Sequence, residues 1–102
     1  MIQRFCFVKL ADDEVATRGE LAQALSARMR AAGAEVVVGL PADESAARWD
    51  LSIVITTASL TAWDALARSP AMIGAFDELA RRATVVKAWT FEARDATPAD
   101  AR

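Results

Sequence analysis

Residue types that move protons, attack carbonyls or hold metals are scarce in this chain. It has no His and no Tyr, which excludes every imidazole-dependent triad, zinc site and proton relay. What remains is Arg4, Cys6, the Asp12-Asp13-Glu14 run, the Trp49-Asp50 pair and the serines Ser59 and Ser69. In an extended segment Arg4 and Cys6 share a face, where the guanidinium could clamp a carboxylate or enolate. The competing reading puts Arg4 near a strand end, its head in water and only its stem buried. Cys6 reads as a small inert hydrophobe, because a thiol in apolar surroundings holds its proton. The acidic run lacks the alternating ligands and turn glycine of a calcium loop, so helix capping accounts for it and no metal is expected. Asp50 suits either a cavity rim or a strand-entry hydrogen bond. Ser59 and Ser69 are caps, since a serine without a base is a poor nucleophile. Gly19, Gly33, Gly39 and Gly74 form neither a dinucleotide fingerprint nor a phosphate loop. No catalytic residue and no cofactor are expected.

At 102 residues the chain has room for one domain. A hydrophobic fraction of 54% with 25% charged residues marks a folded globule with a real core. Twelve basic against fourteen acidic residues give a net charge of -2, which argues against nucleic acid or an anionic membrane as partner. The single cysteine fits a reducing compartment. Arg4 and Lys9 interrupt the opening stretch before a signal-peptide core could form, and no apolar run reaches membrane-spanning length. A cytoplasmic location is expected.

The elements that must position these groups follow from periodicity. Residues 2–10 (IQRFCFVKL) are β-branched and aromatic and read as a strand. Asp12-Asp13-Glu14 opens a helix with an Asp as N-cap, and Leu21, Leu25 and Met29 give it one apolar stripe that ends at Gly33. A second strand runs from Glu35 to Leu40, and a third over residues 49–57. Ser59 caps a short helix carrying Trp63, Leu66 and Ala67; Ser69-Pro70 starts another whose buried face is Ile73, Phe76, Leu79 and Ala80. Residues 84–92 form the last strand. The domain spans residues 1–93 and a flexible tail residues 94–102. The order β-α-β-β-α-β is that of a ferredoxin-like α+β sandwich.

A sheet covered by helices on one side should carry a polar opposite face. This one does not. Arg4, Cys6, Val8 and Leu10 alternate with Phe5 and Phe7, Leu51 and Ile53 with Val54, and Ala88 with Trp89 and Phe91. The second face, Phe5, Phe7, Val54, Trp89 and Phe91, is too apolar to leave in water, so a second copy of the sheet is expected to pack on it. A strand read one residue off would instead turn its aromatics toward the helices.

The opening I-x-x-x-x-x-x-K-L at residues 2–10, the Trp49-Asp50 pair and the Ser69-Pro70-Ala71-Met72 element resemble the stress-responsive A/B barrel domain (Dabb). That family is a branch of the dimeric α+β barrel superfamily, and the likeness spans residues 1–92. It implies a homodimer around a central barrel, with a small cavity between sheet and helices in each subunit. Some members are cofactor-independent polyketide cyclases that use His and Tyr in that cavity. Their first-strand His falls on Arg4 here, the strand-three His on Leu51, the His of Pro-Ala-His on Met72, and the Tyr near Leu66. The cyclase activity therefore does not carry over. A cavity formed by Arg4, Cys6, Leu51, Leu66, Met72 and Phe76 would instead hold a small hydrophobic or aromatic ligand. Two other readings stand beside this one: a cofactor-independent monooxygenase, isomerase or cyclase using Arg4 and Asp50, with Trp63 beside them, and a structural subunit of a larger assembly.

Overall fold

The computed structural model describes residues 1–94, so the expected tail falls almost wholly outside the described residues. Strand β1 (Ile2–Leu10) is central. It pairs antiparallel with β3 (Leu51–Thr57) on one side and β4 (Ala83–Glu92) on the other. Strand β2 (Glu35–Gly39) extends the sheet beyond β3, giving the order β2-β3-β1-β4. Helices α1 (Arg18–Ala31), α2 (Leu60–Ala67) and α3 (Pro70–Arg82) complete the ferredoxin-like α+β fold.

Register fixes which side chains share a face. Cys6 lies between Ile53 and Ala88, and Val8 between Leu51 and Val86. Cys6, Val8, Leu51, Ile53 and Ile55 are buried under α1 and α3, which contribute Leu21, Leu25 and Met29, and Met72, Ala75 and Leu79. The odd residues of β1 face the other way, as their period of two requires.

The caps follow their chemistry. Ser59 Oγ accepts the Ala62 N–H at 3.1 Å and opens α2. Ser69 Oγ accepts the Met72 N–H at 3.4 Å and opens α3, while its hydroxyl donates to the Leu66 carbonyl at 2.7 Å. At the end of α1, Gly33 takes φ 94°, its N–H donates to Arg30 O, and the Ala34 N–H donates to Met29 O. This is a Schellman ending, which a residue with a Cβ adopts only under strain.

Several local expectations need correction. Asp12–Thr17 is a 3-10 turn, and α1 begins only at Arg18. No Asp side chain caps the turn; Ala11 stands at its N-cap position, and Glu14 pairs instead with Arg82 at 3.5 Å. Strand β2 ends at Gly39 rather than Leu40, and β3 starts at Leu51 rather than Trp49. On α3 the buried stripe is Met72, Ala75 and Leu79, with Phe76 half-buried, while Ile73 and Ala80 are exposed. The 72/75/76/79 series carries no charge, whereas the series through Ile73 includes Asp77, so the former turns inward.

Trp49 and Asp50 precede β3 and lock its entry. The Asp50 N–H donates to Val8 O at 2.8 Å, while its Oδ2 accepts the Leu10 N–H at 2.8 Å. Oδ1 accepts from Arg18 Nη1 at 3.1 Å, which ties the start of α1 to the sheet. The strand-entry reading of Asp50 is the one the geometry shows. Asp50→Ala would strand a buried backbone donor and is expected to cost about 2–3 kcal/mol. Urea unfolding checks this, and an unchanged midpoint would refute the lock.

Candidate functional site

On the helix side a cavity of about 170 Å³ lies between β1, β4, α2 and α3. Arg4, Cys6, Trp63, Ala67, Phe76, Val86 and Ala88 line it. β1 supplies Arg4 and Cys6 because even residues of that strand face the helices. α2 supplies Trp63 and Ala67 one turn apart, so both look down from the same helix face.

Arg4 is the charged group here. Its Nη1 donates to Thr90 Oγ1 at 2.8 Å across the β1–β4 ladder. Its guanidinium carbon lies 5.6 Å from the Trp63 ring centroid, a cation–π contact. Among the described residues no carboxylate pairs with it, although Arg18, Arg28, Arg68 and Arg82 all have acidic partners. Its Nε is buried and has no acceptor. Arg4 is half-buried: Nε is covered, while the Nη1–Thr90 bond lies at the exposed side.

Cys6 is 2% exposed. Burial pushes its thiol above the ordinary pKa, and the nearby Arg4 charge and its hydrogen bonding to a thiolate oppose this only in part. The proton therefore stays on sulfur at neutral pH.

Of the six candidate ligand residues, the structure brings Arg4, Cys6 and Phe76 together around this cavity. Leu51 (1% exposed) and Met72 (0%) are packed core instead, and neither lines it. Leu66 is partly buried and packs against that core. Trp63 stood beside Arg4 in the enzymatic alternative, while Ala67, Val86 and Ala88 were outside the candidates; the pairing of Val86 with Val8 and of Ala88 with Cys6 puts the latter two on this face. Asp50 does not join Arg4. Arg4 pairs with Ile55, while Asp50 sits just before Leu51 at the far end of β3.

The opposite face holds the five residues expected to meet a second subunit. Phe5 packs edge-on to Phe91 with centroids 5.7 Å apart, and Phe7 lies 5.8 Å from Trp49 and 6.0 Å from Trp89. Val54 pairs with Phe5 on one side and with Val37 on the other. Trp89 is 47% exposed, Phe91 56% and Val37 65%, a contiguous apolar patch. A broad depression between α1 and the end of β2 is larger; Glu20, Gln23, Ser26, Arg30, Val38 and Leu40 are among its lining. Among the described residues no acid, His or Cys cluster could hold a metal, and no helix is long and apolar enough to cross a membrane.

No family model matches the sequence, and no curated protein matches it. Solved structures do. A dimeric ferredoxin-like protein of unknown function from Thermobifida fusca is similar at 14% identity and TM-score 0.78, over 90% of each chain. A protein of Arabidopsis thaliana is similar at 10% identity and TM-score 0.77, over 91% of this chain and 95% of that one. An antibiotic biosynthesis monooxygenase is similar at 10% identity and TM-score 0.68, over 91% of this chain and 98% of that one. At such identities the likeness concerns the backbone alone: the chain has the ferredoxin-like α+β fold, which others use as dimers.

Proposed function

We propose that the chain is a homodimeric protein of the stress-responsive A/B barrel type that binds a small hydrophobic or aromatic ligand in the helix-side cavity. The carrying observation is that cavity, apolar apart from Arg4 and Cys6, on the far side of the sheet from the aromatic face. Burying ligand carbon there gains roughly 25 cal/mol per Å² before association costs. Cys6, protonated at neutral pH, supplies no thiolate nucleophile. A single buried cysteine and a net charge of -2 are the grounds for reading a cytoplasmic protein without a nucleic-acid partner. The enzymatic alternative that joins Arg4 with Asp50 loses its acid–base partner, because Asp50 is held by Leu10 and Arg18 at the other end of the strands. The open face supports self-association with Phe5, Phe7, Val54, Trp89 and Phe91 at the interface.

Three outcomes check this. Phenol or toluene is expected to raise the melting temperature; a ligand at about 100 times its Kd adds roughly 2.7 kcal/mol. No shift up to the solubility limit would sink the pocket reading. Trp89→Asp is expected to yield monomer or aggregate in sedimentation, since it drives an unpaired charge into a desolvated interface; an unchanged dimer would refute that interface. Cys6 is expected to react slowly with a thiol reagent in the native protein and quickly after denaturation. Because its folded pKa is raised, the stability it contributes is present below the ordinary thiol pKa and is lost as the pH rises through the folded value.

A further inference from the structure

Arg4 makes the helix-side cavity more than an apolar hole. An arginine has five N–H donors in a rigid planar fork and cannot shed its charge in a protein. Here Nη1 is engaged by Thr90, and Trp63 covers the guanidinium. The Nε–Nη2 edge has no acceptor among the described residues, and Nε is buried besides. That edge has the spacing that a carboxylate matches with two parallel hydrogen bonds. Nε is the covered donor of that edge, and a bound carboxylate would satisfy it. Thus the cavity pairs an unfilled bidentate anion site with walls of Trp63, Phe76, Ala67 and Val86, which suit a flat apolar body.

Resting on the proposed ligand-binding reading, we infer that this cavity is selective for small aromatic carboxylates, held side-on by the Nε–Nη2 edge of Arg4. The size limits the class. About 170 Å³ is the liquid-volume share of roughly six waters, room for one ring and its carboxylate rather than a fused polycycle. Entry asks for movement, since Nε is closed to water. α2 is the element free to yield, because none of its residues is fully buried. Trp63 moves with it, so the indole reports occupancy.

Benzoate and benzamide share shape and size and differ in charge, which makes them the deciding probes. Benzoate is expected to bind the unaltered protein at least about tenfold more tightly than benzamide, as a charge-assisted hydrogen bond requires. Acetate at the same ionic strength corrects for general anion effects, and the Trp63 indole N–H resonance is expected to shift with benzoate. Arg4→Met is expected to erase the preference by weakening benzoate far more than benzamide, because the charge-assisted bond is lost while the apolar walls remain. Equal affinity for the two probes would overturn the carboxylate assignment and leave the apolar pocket standing. Binding of neither would overturn both. A benzoate preference that survives in Arg4→Met, or a Trp63 resonance that stays fixed, would place the anion elsewhere and overturn it too. Should Arg4→Met fail to fold, the benzoate-to-benzamide ratio and the Trp63 shift in the unaltered protein decide the matter alone.

Discussion

The two-residue period of β1 governs the molecule. As the central strand, it is paired along its length with β3 and β4, so its register is fixed from both sides. That register sends Arg4, Cys6, Val8 and Leu10 beneath the helices and Phe5 and Phe7 to the open face. A slip of one residue would exchange these sets, placing two phenylalanines in the packed core and a cation in the aromatic patch. Packing opposes the slip strongly, since Val8 and Leu10 are almost fully buried and Leu10 is further pinned by Asp50.

One consequence is that the proposed assembly face and the proposed ligand cavity sit on opposite sides of the same four strands. The open face can pack on a second copy without covering Arg4, and the cavity can fill without disturbing Trp89. Thr90, which accepts from Arg4, lies between Trp89 and Phe91 on β4, so successive residues of that strand face opposite sides of the sheet.

The fold was legible because it rests on backbone periodicity and caps. The period of β1, the stripe of Leu21, Leu25 and Met29, and the Ser59, Ser69 and Gly33 signals all act over a few neighbouring residues. Errors arose where the decision was tertiary. Nothing local tells Asp12 that Leu10 is committed to Asp50, or that α1 will start after a 3-10 turn. The face of α3 was misread because Ile73 is hydrophobic and only the whole stripe shows that Met72 and Ala75 turn inward. The site was half legible. Arg4 and Cys6 follow from strand parity, but Leu51 and Met72 were placed by a family likeness, and here their side chains fill the core. Val86 and Ala88 enter through pairings between distant segments, which a single sequence does not display.

The cavity's chemistry also separates recognition from turnover. Its ionisable groups among the described residues are Arg4 and Cys6. Arginine holds its proton, and burial makes Cys6 hold its own. Neither group can shuttle a proton near neutral pH, as general acid–base catalysis requires. A guanidinium can still stabilise negative charge, which is what the proposed carboxylate ligand would use. Fixed positive charge in apolar walls is the arrangement on which the proposed carboxylate binding rests.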